Sequence, residues 1–305
     1  MSTVLSPAPV APGAGEVHLR PMRPDDTAEA ARIMFEAFAG IADRHGFPRD
    51  FTPESARQLV DAFQPHPSIW AVVAERDGRV VGSNFLDVRS PVAGVGPITV
   101  DPDAQASGVG RLLMGAVLDR AAATPGTEGV RLLQDSFNTA SLALYASLGF
   151  VATDPVALMG GRPTTAPFPR VEVRPLTEED VDACARLHQA VHGYERTAEL
   201  RDAMAAPHLQ PLVAVRAGRV VAYATTLHAF GAAHAVAETE DDLAALIAGG
   251  LAATDAEASF LLPVRQHILF RWCLAAGLRV IKPMTYMAYG PYRRPEGAWL
   301  PSVLS

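Results

Sequence analysis

The chain states one pattern twice. Val17-His18-Leu19-Arg20-Pro21, followed by the acidic Asp25 and Asp26, returns as Val171-Glu172-Val173-Arg174-Pro175, followed by Glu178, Glu179 and Asp180, at an offset of 154 residues. Gly78-Arg79-Val80-Val81-Gly82 returns as Gly218-Arg219-Val220-Val221-Ala222 at an offset of 140, and Gly149, Pro155 and Met159 return as Gly277, Pro283 and Met287 at 128. Two long occurrences of this kind mark a duplicated domain. The falling offset shows where the second copy is shorter: by 14 residues before its Gly-Arg-Val-Val turn and by 12 more across the region that follows. A length of 305 residues, 49% of them hydrophobic, provides for two such domains, each with its own core.

Within each copy the apolar periodicity reads strand, one or two helices, hairpin, strand, helix, strand, helix, strand, which predicts an α/β (α+β) fold. In the first copy Val17–Pro21 is a strand, and helical periodicity runs through Ala28–Ala42 and Pro53–Phe63. Ile69–Ala74 and Val80–Val88 flank Arg76-Asp77-Gly78, and Asp-Gly between apolar runs predicts a hairpin. Pro97–Val100, the helix-like Leu112–Ala123 and Val130–Gln134 follow. Thr153–Pro169, rich in Pro and Gly, joins the halves and leaves room for a last strand around Ala157–Met159. The expected division is a tail over 1–16, a first domain over 17–160, a linker over 161–170 and a second domain over 171–305.

Composition removes several classes of function. A formal net charge of −7 with no basic cluster argues against nucleic acid as a partner. No stretch approaches 18 consecutive apolar residues, so no membrane span is expected. The first 16 residues hold neither Lys nor Arg and no continuous apolar run, which predicts a disordered tail rather than a signal peptide and a cytoplasmic protein. Cys184 and Cys273 fall in separate helical stretches and predict buried apolar side chains rather than a disulfide or a metal site.

Gln105-Ala106-Ser107-Gly108-Val109-Gly110-Arg111 lies between a strand-like and a helix-like run. Small residues at a helix start leave backbone N–H groups free to point at a diphosphate, and glycines let the ligand approach closely. After one more strand comes Asn138, then Tyr145 seven positions on, then Leu148-Gly149-Phe150. This order of strand, Gln-x-x-Gly-x-Gly, helix, strand, Asn, Tyr and Gly-Phe resembles the GNAT superfamily of CoA-dependent N-acyltransferases over residues 17 to about 160. The resemblance implies two tandem copies of a mixed, mostly antiparallel central sheet flanked by helices. It also implies acetyl-CoA as co-substrate and a small-molecule or peptide amine as acceptor, in a monomer (pseudo-dimer) or a homodimer, with no metal.

By the same resemblance the amides from Gln105 to Arg111 hold the diphosphate, and the backbone of Ile98, Thr99 and Val100 pairs with the pantetheine arm. Gly94 and Gly96 are the expected place for the strand to open. Asn138 contacts the cofactor or caps its helix, and Tyr145 donates a proton to the CoA sulfur. An alkylammonium of pKa about 10.4 is only about 0.04% neutral at pH 7, so a base must expose its lone pair at a cost of roughly 4–5 kcal/mol. Gly94–Val100 offers no carboxylate. Asp135, at the end of the following strand, and Asp87, at the end of the hairpin, are the candidates, with His45 between the first helices as a third.

In the second copy the glycine loop is replaced by Glu238-Thr239-Glu240-Asp241-Asp242, Asn138 by Gln266 and Tyr145 by Cys273. That copy is expected to keep the fold, lack the site, and help shape the acceptor pocket or an interface. His188 and His192 stand four apart on a helix but have no visible third ligand. Tyr286, Tyr289 and Tyr292 predict either a buried final strand or an aromatic pocket wall. The alternative function is a non-catalytic acyl-CoA sensor. A nucleotide-binding oxidoreductase is disfavoured because Leu113 stands where a Gly-x-Gly-x-x-Gly motif needs its third glycine.

Overall fold

A computed structural model describes residues 15–105, 108–165 and 168–304. Residues 1–14 of the expected tail, Ala106 and Ser107 of the glycine loop, and 166–167 of the expected linker lie outside the described residues. The first half runs β1 (Val17–Pro21), α1 (Thr27–His45), α2 (Pro53–Phe63), β2 (Ile69–Arg76), β3 (Arg79–Asp87), β4 (Val92–Val95), β5 (Thr99–Val100), α3 (Val109–Ala123), β6 (Gly129–Asp135), α4 (Thr139–Ser147) and β7 (Val151–Gly161). The second runs β8 (Glu172–Pro175), α5 (Val181–His192), α6 (Thr197–Ala205), β9 (Leu212–Arg216), β10 (Arg219–Ala224), β11 (Ala235–Ala237), α7 (Glu240–Ala252), β12 (Ala258–Pro263), α8 (His267–Ala275), β13 (Arg279–Tyr289) and β14 (Ala298–Leu300).

The repeated residues build repeated devices. Arg20 grips Asp26 with both terminal guanidinium nitrogens at 2.6 and 2.9 Å, and Arg174 grips Asp180 at 2.7 and 2.8 Å, fixing each first strand to the start of the helix after it. Both hairpins turn through paired residues at positive φ, Asp77 and Gly78 in one and Ala217 and Gly218 in the other. This backbone matches the right-handed twist of the flanking strands.

The halves are joined by an exchange of strands. β7 belongs to the first copy and β13 to the second, yet the sheet order is β1-β2-β3-β4-β6-β13-β7-β12, with β5 beside β3. β13 inserts between β6 and β7, and β7 lies between β13 and β12. The register is self-symmetric about Met284 opposite Val156: Pro283–Ala157 mirrors Thr285–Pro155, and Lys282–Leu158 mirrors Tyr286–Asp154. Asp135 faces Met284 just as Pro263 faces Val156, so the offset of 128 residues is a pseudo-two-fold axis through the middle of the sheet.

Two features correct the sequence reading. Ile281–Tyr292 is not a final strand: β13 is interior to the shared sheet, and β14 follows it to complete a second sheet, β14-β11-β10-β9-β8. Of its three tyrosines, Tyr286 is buried, Tyr289 is partly exposed and Tyr292 donates to Asp154 at 2.7 Å. The strand expected over Pro97–Val100 is only Thr99–Val100, and it is bonded to β3, not to β6.

Candidate active site

The site begins where two strands part company. β4 runs parallel to β6 only through Val92–Gly94 opposite Gly129–Arg131. Beyond that the chain follows β3, with Val95 opposite Leu86, Gly96 bonded to Phe85, and β5 opposite Gly82 and Ser83. The β6 edge from Leu132 to Asp135 is therefore left facing a gap. A cavity of about 1030 Å³ fills it, lined on one side by Val95–Ile98 and on the other by Leu132–Asp135.

Strand alternation sends successive β6 side chains to opposite faces. Val130 and Leu132 pack in the core under α3 and α4 with Tyr145, and Leu133 packs in the core around Met284, Tyr286 and Trp299. Gln134 therefore belongs to the α3/α4 face and Asp135 to the opposite one. All four residues from Leu132 to Asp135 line the cavity, as do Asn138, Ser141 and Tyr145, so the cavity passes through the sheet from one face to the other.

On the α3/α4 face the helix start is open. Gly108 sits at φ +84° with nothing within 4 Å of where a Cβ would stand, and it offers no side-chain cap. Leu112 N–H bonds Gly108 C=O at 3.2 Å, so the amides of Val109, Gly110 and Arg111 precede that bond and, among the described residues, have no backbone acceptor. Gly110 packs close to Leu144, at 3.4 Å from its Cβ position, and the Arg111 guanidinium reaches Ser147 at 2.7 Å. Gln105 lies near the Val100 carbonyl, 3.5 Å away. Thr99 points away from the cavity, its hydroxyl 3.1 Å from that of Ser83.

Asn138 caps α4 by accepting from Ser141 N–H at 3.2 Å, and it lines the cavity as well. Tyr145 is buried, with Ser141 beside its hydroxyl, and burial pushes its phenol up to about 12. Gln134 is the residue that sequence reasoning missed. Its amide is buried with neither nitrogen nor oxygen partnered, and it lines the cavity. The available signal was a polar side chain two positions after Leu132 on the face that strand alternation buries.

On the opposite face Asp135 meets a group supplied by the other half. Lys282 of β13, almost wholly buried, places its ammonium 2.6 Å from Asp135 and 2.7 Å from Asp50. Burial raises the Asp135 carboxyl above its usual range, Lys282 opposes that, and Asp50 adds to it. Asp87 is elsewhere. It is buried, does not line the cavity, and is held by the Arg89 Nε at 2.9–3.0 Å. His45 is the last residue of α1, exposed and packed on Phe137 at 5.2 Å, and it too does not line the cavity.

The second copy has closed the equivalent opening with its own chain. β14 pairs with β11 where the first copy has β6 beside β4, and Gln266, the counterpart of Asn138, exchanges two 2.7 Å hydrogen bonds with the Trp299 backbone. Thr239 caps α7 by accepting from Asp242 N–H at 3.1 Å, while Glu240 accepts from Leu269 N–H at 2.6 Å. Of the carboxylates expected to repel a diphosphate, Asp242 is 2.7 Å from Arg216 and Glu238 is paired with Arg219.

His188 and His192 do gain a neighbour in His234, with ring centroids 4.4 to 6.1 Å apart, all three buried. Among the described residues no set of three or more His, Cys, Asp or Glu is placed to hold a metal ion. No described helix is long and apolar enough to cross a membrane.

Residues 32–150 match the model of the acetyltransferase (GNAT) family. Phosphinothricin N-acetyltransferase of Alcaligenes faecalis is 33% identical over 141 residues, covering 44% of this chain and 69% of that protein. Mycothiol acetyltransferase of Tsukamurella paurometabola is 32% identical over 154 residues, 48% of this chain, and the chain spans only 51% of that relative's length. Among solved structures, a tandem GNAT protein from the clavulanic acid biosynthesis pathway superposes with a TM-score of 0.59 at 16% identity, covering 91% of this chain and 100% of that one. At that identity the likeness speaks to the fold alone.

Proposed function

Since the chain belongs to the acetyltransferase (GNAT) family, we propose that it moves an acetyl group from acetyl-CoA to a primary amine bound in the cavity between its halves. The observation that carries this reading is the passage through the sheet. It is lined on one face by Asn138, Ser141 and Tyr145, next to the α4 residue Leu144 against which Gly110 of α3 packs, and on the other by Asp135 and Asp50.

Acetyl-CoA supplies the activated acetyl thioester when bound. The residues present fit it. The amides of Val109, Gly110 and Arg111 provide charge-assisted hydrogen bonds worth roughly 1.5–3 kcal/mol each to a diphosphate, and the open space at Gly108 lets such a group approach. Ile98 and Gln134 both line the cavity, and the orphaned amide of Gln134 would give a pantetheine arm a polar partner there.

Tyr145 keeps its proton at neutral pH. A phenol pushed up to about 12 would transfer that proton fully to a thiolate of pKa about 8.5 only at a cost of roughly 5 kcal/mol. Its role is therefore to present the proton to the leaving sulfur as charge develops there. Asp135, with its basicity raised by burial, takes the proton from the acceptor ammonium, and Lys282 orients it. Asp87 is assigned to positioning Arg89 and not to proton transfer.

The test pairs thermal stabilisation by acetyl-CoA with thiol release in the presence of an amine panel. Stabilisation abolished by Gly108→Val, together with thiol release, supports the reading. No stabilisation of the unaltered protein overturns it, and stabilisation without thiol release from any amine favours an acyl-CoA sensor.

A further inference from the structure

The acceptor end of the cavity has a definite chemical character. Its walls are aromatic and aliphatic, with Phe38, Phe51 and Phe63 from the first half and Leu209, Phe230 and Val303 from the second. Set into these walls are four carboxylates, Asp50, Asp135, Glu199 and Asp202, and one guanidinium, Arg89. Arg89 is fully engaged. Its Nε holds Asp87 at 2.9–3.0 Å and its Nη1 holds Asp202 at 2.8 Å. Lys282, just behind the wall, is spent on Asp50 and Asp135, and the buried Arg196 is paired with Glu199.

The histidines on this wall are His66, His208 and His228, and His66 Nε2 already faces Asp202 at 3.3 Å. Among the described residues, every Lys or Arg at or directly behind the acceptor wall has a carboxylate partner, and the carboxylates outnumber them. An entering ammonium finds anions to meet it. An entering carboxylate or phosphinate loses its hydration and finds no unpaired cation in exchange.

We infer that the acceptor is a primary amine with an apolar, preferably aromatic, body and no anionic group. The paired state of Arg89 excludes free amino acids and their phosphinate analogues. This rests on the acetyl-transfer reading for the reaction, but the recognition it describes is a matter of binding.

The probes are 2-phenylethylamine and L-phenylalanine, which differ only by a carboxylate, with phosphinothricin as a doubly anionic third. Each is measured twice with the full chain: by thiol release at saturating acetyl-CoA, and by calorimetric binding to the CoA-loaded protein. The expected result is at least a 100-fold preference for 2-phenylethylamine over L-phenylalanine in binding and in kcat/KM. In Asp202→Asn, which releases one face of Arg89, that preference falls at least tenfold.

The inference is overturned if L-phenylalanine or phosphinothricin binds or reacts as well as 2-phenylethylamine. It is equally overturned if none of the three binds at millimolar concentration, or if Asp202→Asn leaves the ratio unchanged. A binding preference in the expected sense with no thiol release from any amine sinks the acetyl-transfer reading and leaves the recognition standing.

Discussion

Replacing Lys282 by methionine removes one ammonium while keeping most of the stem, and it separates two contributions that the exchanged strand makes. The lost contacts are 2.7 Å to Asp50 and 2.6 Å to Asp135 from a side chain that is 2% exposed. At an effective dielectric of about 20, each corresponds to roughly 6 kcal/mol of raw attraction. Most of that only offsets the burial of the three charges. Removing one partner of a buried pair leaves a net loss of about 3–5 kcal/mol.

The pH dependence follows from Asp135, whose carboxyl is already raised by burial and by Asp50. Without the ammonium it rises further. A raised carboxyl means that the folded protein holds a proton the unfolded chain has released, so stability falls as pH climbs from the unfolded value near 3.8 through the folded one. The deficit of Lys282→Met is thus greatest near neutral pH and shrinks towards pH 5. Urea denaturation of both proteins at about pH 7.5 and pH 5 measures it. A deficit below about 1 kcal/mol, or one equal at the two pH values, would refute the charge triad as the cause.

Tyr145→Phe is expected to lower kcat by about 10²-fold, within the range of general-acid contributions, with KM for acetyl-CoA little changed; a proportionate change in KM alone would argue against the role. Gly108→Val is expected to cost about 1–2 kcal/mol through its left-handed backbone and to abolish stabilisation by acetyl-CoA, read by thermal shift. Gly94→Ala would place a Cβ 2.2 Å from the Leu304 carbonyl oxygen, so the 301–304 segment must leave the cavity wall. The expected loss is about 1–3 kcal/mol, with faster proteolysis after residue 300. Burial depresses the His188 imidazole to about 3, so the folded protein binds fewer protons than the unfolded chain between about 6.5 and 3. Stability is lost as pH falls through that window, and His188→Phe should flatten the slope by up to about 1.4 kcal/mol per pH unit in chemical denaturation.

The duplicated devices were legible because they are local. Arg20 with Asp26, Arg174 with Asp180, and the two positive-φ turns each sit within a few residues of chain, so sequence spacing is enough to find them. Gly108 and Tyr145 were legible for the same reason: one opens a helix and the other lies on the next. Strand exchange was not, because the apolar alternation of β7 and β13 says which face is buried and nothing about which neighbour sits alongside.

Everything that depends on that exchange was hidden with it. Nothing in the sequence around Lys282 points to Asp135, to which β13 brings it from 147 positions away in the chain. Asp87 reads in the sequence as a candidate base at a strand end. Its capture by Arg89 is a local contact, while the second partner of Arg89, Asp202, comes from α6 of the other half.

The insertion of β13 beside β6 also sets a timetable for biogenesis. The first half is synthesised with its glycine loop, tyrosine and aspartate in hand and with β4 on one side of β6, yet the other edge of β6 lacks its native partner until residues 279–289 emerge from the ribosome. Contacts across so large a sequence separation form late, and an unpaired edge is exposed to other chains meanwhile. The second copy is thereby structurally indispensable to the first: deleting it would leave the first half with an unpaired β6 edge and a half-built cavity.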